Sequence, residues 1–308
     1  MREEGKTKIE EDKKNSQESG KKRKRNIFWV ICALLLVYTI PGLYCGLTVR
    51  KYEIQDERIE GRIRIALVTD LHSCKYGKGQ EKLLSAIEEQ QPDILLLGGD
   101  IFDDKRADDL AEEFLAGVSG KYPCFYVTGN HECWAGTQEF QQKMEILDRY
   151  GIFRLAGDAG ILYFGENKIL LCGVDDPYIT MIGSDPERKY PNFDTQLAEM
   201  EKIAEKAQYE DGSVFSLLLT HRPELFETYA EGGFDLVLAG HAHGGQWRIP
   251  WIMNGYYAPN QGLFPKYAGG YYEKDGTKMI VSRGLAREST PVPRIYNPPE
   301  LVIIDLSE

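Results

Sequence analysis

Every histidine in this chain stands just past the end of a short, strongly apolar run. His72 follows in "VTDLHS", His131 in "VTGNHECW", His221 in "LLLTHRPE", and His241 with His243 in "LVLAGHAH". Runs of four to eight residues rich in Val, Ile and Leu read as strands buried on both faces. A packed core has no use for imidazoles there, so the pattern asks for a fold in which several strand ends meet at one polar place. Open sheets with helical crossovers do this, and their ligand sites form at the carboxyl ends of the strands.

The segments between the runs fit that reading. "RIRIALVTD" reads as a strand, "GQEKLLSAIEEQQ" as a helix, "DILLLGGD" as a strand, "ADDLAEEFLAGVS" as a helix and "YPCFYVTGN" as a strand, a βαβαβ opening. The helix "TQEFQQKMEILDRYG" follows, then "GILYFGENKILLCGVDD", which reads as a hairpin turning at Glu166 and Asn167. A helix over 194–208, the strand "SVFSLLLTH", the helix "PELFETYAEGG" and the strand "FDLVLAGH" come next. The C-terminal part is rich in strands and carries a turn signal at Asp275 and Gly276. The alternation predicts an α/β domain with no internal linker.

The strand ends share one chemistry: Asp70 and His72, Asp100, Asn130 and His131, His221, His241 and His243. Carboxylate, amide and imidazole donors gathered from five strand ends suit divalent ions of intermediate hardness such as Mn²⁺, Fe²⁺ or Zn²⁺. No thiolate cluster with structural-zinc spacing is present.

The blocks "DLH", "GGDIFDD", "GNHE", "LLTH" and "GHAH", complete and in this order, resemble those of the calcineurin-like metallophosphoesterases. The tail "HGGQWRIP" with "VSRGLARESTPVPRIYNPPELVII" is similar to the membrane-associated YkuE-type branch. The resemblance implies a four-layer α/β/β/α sandwich of two mixed sheets. It implies a metal-dependent phosphoesterase with two divalent ions: one on Asp70, His72, Asp100 and His243, the other on Asp100, Asn130, His221 and His241. His131 is then the catalytic histidine that is not a ligand, protonating the leaving group or contacting the phosphoryl oxygen, with Asp103 orienting it. Relatives that act on phosphoproteins have an arginine where this chain has Asp104. A carboxylate there removes a bidentate phosphate donor, which disfavours a phosphoprotein substrate. Arg222, Arg283, Arg287 and Arg294 are the arginines of the later loops that could contact phosphate.

Ahead of this domain, residues 27–49 carry no charge. At 1.5 Å per residue such a run is long enough to cross a bilayer as a helix, and it exceeds the apolar core of a cleaved signal peptide. The expected organisation is a basic head over 1–26 without fixed structure, a transmembrane signal anchor over 27–49, and a catalytic domain over 50–308. The head holds ten Lys and Arg against six Asp and Glu, so the rest of the chain carries more than the whole formal charge of −11. So acidic a body argues against nucleic acid as a partner. Basic residues crowding 21–25 place the head in the cytoplasm and the domain outside, opposed only by Arg50, Lys51 and Arg58. Cys74, Cys124, Cys133 and Cys172 leave room for one disulfide outside the cell, but burial as small apolar residues is the better expectation. The aromatic stretch 247–272 reads as a greasy entrance beside the metals or as a loop packed on itself.

Two function classes follow. One is a membrane-anchored hydrolase of a phosphoester or pyrophosphate, on a small or lipid-linked substrate. The other is a catalytically silent envelope-binding protein that keeps the fold; a lost ligand would be its mark, and none is lost.

Overall fold

The computed structural model describes residues 2–183, 192–287 and 292–308, with the backbone alone for 2–19. The chain divides into two compact units, 1–44 and 45–308.

The first unit is one helix, α1 (Arg2–Gly42). Among the described residues it is the helix long and apolar enough to cross a membrane, over Gly20–Gly42. Its apolar side chains, Ile27 to Val37 among them, are mostly exposed. Residues 2–26 are helical where the sequence predicts a head without fixed structure. Val49, the last residue of the predicted span, lies in a strand that begins at Thr48.

The second unit holds two six-stranded mixed sheets. Chain order is β1 (Thr48–Gln55), β2 (Arg62–Val68), α2 (Glu81–Gln90), β3 (Ile94–Gly98), α3 (Asp109–Val118), β4 (Cys124–Val127), α4 (Asn130–Trp134), α5 (Thr137–Arg149) and β5 (Phe153–Arg154). It continues with β6 (Asp158–Phe164), β7 (Asn167–Gly173), α6 (Phe193–Glu210), β8 (Val214–Leu219), α7 (Phe226–Glu231) and β9 (Leu236–Ala239). The short pair β10 (Tyr257–Ala258) and β11 (Gly262–Leu263) precedes β12 (Gly270–Lys274), β13 (Thr277–Val281) and β14 (Glu300–Ser307). The first sheet runs β1-β14-β2-β3-β4-β5 and the second β12-β13-β9-β8-β7-β6.

Period-two alternation sorts the strand residues into layers. Ile63, Ile65 and Leu67 of β2, Val302 and Ile304 of β14, Leu217 and Leu219 of β8, and Leu236 and Leu238 of β9 form the core between the sheets. The alternate residues Ala66, Val68, Leu95 and Leu97 pack under α2, α3 and α5. On the far side Val214, Leu218 and Val237 pack against Met200 of α6 and Tyr229 of α7. Helices, sheet, sheet, helices: this is the expected four-layer sandwich.

The hairpin between β6 and β7 turns one residue earlier than predicted, at Gly165 and Glu166, since Phe164 pairs with Asn167. Gly165 takes φ 63° without a Cβ penalty. Asn167 is held in the strand because its amide exchanges hydrogen bonds with the backbone of Glu60. The turn at Asp275 and Gly276 stands as predicted, with Lys274 paired to Thr277.

Candidate metal centre

The carboxyl ends of β2, β3 and β4 in one sheet and of β8 and β9 in the other supply the predicted side chains. The backbone pays no attention to ordinary preference there: Asp70, His72, Asp100, His241 and His243 all have positive φ, between 47° and 66°. Non-glycine residues held in this left-handed region are strained by roughly 1–3 kcal/mol each, and such strain collects at functional sites. Close approach is secured by glycine. A Cβ on Gly129 would lie 2.1 Å from Asp100 Oδ1, and one on Gly284 would lie 2.6 Å from Asp70 Cβ.

Asp100 sits at the middle. Its Oδ1 accepts from His131 N at 2.8 Å. Its Oδ2 lies 3.5 Å from His72 Nε2 and 3.2 Å from His221 Nε2, buried and without a hydrogen-bond partner. Donor atoms of Asp70, His72, Asp100 and His243 lie within 4.8 Å of one another, and so do those of Asp100, His221 and His241. Asn130 is buried beside them with Oδ1 unpartnered.

The histidines are oriented as ligands would be. His72 has Nδ1 3.0 Å from Asp103 Oδ2, and His221 has Nδ1 2.8 Å from Gly98 O. His241 has Nε2 3.0 Å from Asn260 Oδ1 and 2.9 Å from Arg222 Nη1. In each ring the other nitrogen is buried with no partner: Nε2 of His72, Nε2 of His221 and Nδ1 of His241. Anchoring one imidazole nitrogen on an oxygen while the other is kept bare is how metal-binding histidines are held. Leaving so many buried polar atoms unmatched would cost about 1–3 kcal/mol apiece, so the donor set fits a divalent cation. His243 completes the group with Nε2 3.8 Å from Asp70 Oδ1 and Nδ1 unpartnered.

The field has the same sense. Burial works against a charge on His221, yet the Asp100 and Asp70 carboxylates push it up to about 10. His72 is also raised, by Asp100 and Asp103 against burial. Burial and the Arg222 guanidinium hold His241 well below its usual range, and burial with His72 does so for His243. The pocket therefore welcomes positive charge between its carboxylates and keeps two imidazoles as neutral donors.

One expected partnership is exchanged. His131 Nδ1 lies 2.6 Å from Asp104 Oδ1, whereas Asp103 Oδ2 is 3.8 Å away. The reason lies in His72: its Nε2 faces Asp100, so its buried Nδ1 needs an acceptor, and Asp103 fills that place. Asp104 thus stands beside His131 where Asp103 was expected. His131 packs its ring on Trp134 at 4.8 Å.

The arginines expected near phosphate each have a partner within the protein. Arg222 is buried and bidentate on Asp176, and it also donates to Asn260 at 2.6 Å. Arg283 pairs with buried Glu300 at 3.2 Å. Arg287 lies over the Tyr76 ring at 5.4 Å. Arg222 Nη1 also lies 2.9 Å from His241 Nε2, and Arg283 Nε is buried without a partner. Arg294 donates through Nη1 to Arg283 O at 2.8 Å and leaves Nη2 buried without a partner.

Glu132 was not singled out by the sequence, though it stands in the quoted "GNHE". It is fully buried and accepts from the backbone N–H groups of Asp100, Phe102 and Gly129, tying the loop after β3 to the loop after β4. Burial and Asp100 raise its carboxyl above the usual range.

Comparison with known proteins agrees with this geometry. An uncharacterized metallophosphoesterase of Aquifex aeolicus is 29% identical over 283 residues, 90% of this chain and 97% of that protein. Phosphodiesterase YaeI of Escherichia coli is 26% identical over 194 residues, 61% of this chain and 63% of that protein. A Danio rerio transmembrane protein with metallophosphoesterase domain is 26% identical over 306 residues, 94% of this chain and 64% of that protein. Among solved structures, the sulfate thiohydrolase SoxB of Thermus thermophilus shares the fold with a TM-score of 0.50 at 15% identity. It is covered over 78% of this chain and 53% of that one, so the chain spans about half its length. The family model of the calcineurin-like phosphoesterases matches residues 63–245, well over half of the chain, which therefore belongs to that family as a metal-dependent phosphoester hydrolase.

Proposed function

We propose that this chain is a membrane-anchored hydrolase with a two-ion centre, cleaving a phosphoester or pyrophosphate bond of a small or lipid-linked molecule. The observation that carries the two-ion reading is Asp100 Oδ2, unpartnered between His72 Nε2 and His221 Nε2. One ion would be held by Asp70, His72, Asp100 and His243, the other by Asp100, Asn130, His221 and His241.

Divalent ions bound there, Mn²⁺, Fe²⁺ or Zn²⁺, would supply Lewis-acid activation of water and neutralise charge on the phosphoryl oxygens. The protein's own part is positioning and proton transfer. Glu132 and the backbone contacts of Asp70 and His72 with Gly99 and Asp100 hold the donors rigidly. His131, oriented through Nδ1 by Asp104, presents Nε2 to the leaving-group oxygen or to the phosphoryl group. Arg294 Nη2 and Arg283 Nε, both buried without a partner, are guanidinium nitrogens open to a phosphoryl oxygen. Helix α1, with Lys21 to Arg25 at one end of its apolar stretch, supports anchoring with the head in the cytoplasm and the catalytic unit outside.

The purified chain, saturated with Mn²⁺, should hold two ions by elemental analysis and hydrolyse bis-p-nitrophenyl phosphate. Asp100→Asn should lose at least one ion and fall in kcat by more than about 10²-fold. Retention of both ions in that variant would refute the bridging role.

A further inference from the structure

Next to the centre lies a cavity of about 420 Å³ with His243 in its wall, a volume within the ~300–1,000 Å³ usual for ligand pockets. The rest of the wall includes Trp247, Tyr256, Tyr257, Pro259 and Val292. Two of its polar groups are engaged with main-chain carbonyls. Trp247 Nε1 donates to Pro293 O at 2.9 Å, and Gln246, also in the wall, donates through Nε2 to Val292 O. The rings brace one another: Trp247 stacks on Tyr256 at 5.7 Å and 23°, and Tyr256 meets Phe264 edge-on at 5.8 Å. One face of the Trp247 ring is thereby occupied. At the surface the same loops expose Trp251, Ile252, Leu263 and Phe264, with Trp251 fully open to solvent. An apolar patch of this kind marks an interaction site on a soluble surface.

We propose that this cavity is a slot for the hydrocarbon chain of the substrate, so that the phosphoester cleaved at the centre carries an alkyl or acyl tail drawn from a lipid. The inference rests on the phosphohydrolase reading above. His243 belongs both to the proposed centre and to the cavity wall, so a phosphoryl group at the ions would place one ester arm in the slot. A nucleobase would need edge hydrogen bonds. The indole N–H and the glutamine amide that could read a base are engaged with main-chain carbonyls, whereas a hydrocarbon chain asks only for apolar area. The aromatics and aliphatics exposed on the same loops add apolar surface of the kind a lipid contacts.

The test uses the full chain in nanodiscs of one zwitterionic lipid, with Mn²⁺ and a series of alkyl p-nitrophenyl phosphate diesters from ethyl to hexyl. Water adds to phosphorus, the bond to the nitrophenyl oxygen breaks, and p-nitrophenolate leaves with an alkyl phosphate as the other product. The leaving group is constant, so chain length reports the slot alone. We expect kcat/KM to rise roughly tenfold or more from ethyl to hexyl, since each buried methylene can add up to about fourfold. Trp247→Ala should flatten that rise, and Trp247→Phe should restore most of it. Tyr257→Ala, at a half-exposed position, should give a smaller flattening and guards against misfolding of the first variant. A flat series in the unaltered chain, or an unchanged slope in both alanine variants, overturns the slot. Preference for thymidine 5′-p-nitrophenyl phosphate over the hexyl ester, lost in Trp247→Ala, overturns it in favour of base stacking. Failure to hydrolyse any ester would instead strike the phosphohydrolase reading itself.

Discussion

Asp103 and Asp104 are adjacent in sequence and serve different rings. Asp103 is buried and faces His72 Nδ1; Asp104 is more open and faces His131 Nδ1. The two carboxylates should therefore fail in different ways. Asp103→Asn weakens the acceptor behind a proposed ligand and should lower metal affinity by about 10–100-fold, the usual effect of losing such a partner. Asp104→Asn should leave metal content intact and lower kcat. His131→Ala should do the same more strongly, by roughly 10² to 10⁴. With p-nitrophenol as leaving group the deficit should shrink, because a good leaving group needs little protonation. Metal analysis beside kcat for the three variants checks the assignment, and loss of metal from His131→Ala or Asp104→Asn would reverse it. The exchange was not legible beforehand. Two consecutive aspartates offer the same acceptor at nearly the same place, and only the demand of His72 Nδ1, a three-dimensional fact, decides between them.

At the scale of elements, the strand ends were legible because apolar runs and polar terminations are both local signals. The five blocks carrying Asp70 to His243 come together where the alternation of strands and helices predicts. What local signals miss is pairing. The strand β1 was hidden behind the apolar span because its partner β14 lies at the other end of the chain, with Thr48 opposite Glu300. The two-residue β5 has no pattern to detect. Glu132 looks like any helix-start carboxylate until its three backbone donors are seen. Long-range pairing also sets an acid dependence. Arg64 of β2 and Asp305 of β14 face each other across the first sheet, with Arg64 Nε 2.6 Å from Asp305 Oδ1. The hydrogen bond from Arg64 holds Asp305 below the usual carboxylate value. A depressed folded pKa contributes stability that is present above the unfolded value, near 4, and is lost as pH falls through the folded one. Asp305→Asn should therefore cost about 0.5–1 kcal/mol at neutral pH. In denaturant melts the gap between variant and parent should close below about pH 4, and a gap that persists at low pH would mean the residue acts through packing.

For the whole molecule, the open question of sidedness can be read from the cysteines. Cys74, Cys124, Cys133 and Cys172 are buried and form no disulfide. Burial pushes the Cys172 thiol up to about 12 and the Cys124 thiol higher still, so neither offers thiolate at neutral pH. Cys32 lies within the apolar stretch of α1, and Cys45 is exposed just beyond the end of that helix. A thiol reagent that cannot cross a membrane should then find one accessible target in the folded chain. If the basic head lies in the cytoplasm and the catalytic unit outside, a membrane-impermeant maleimide should label Cys45 in intact cells whose outer layers are permeable to it. Cys45→Ser should abolish the labelling. Labelling that appears only after the membrane is broken would invert the proposed orientation. Labelling that persists in Cys45→Ser would show instead that a buried thiol is reached, and that the sandwich opens far more readily than its three apolar layers imply.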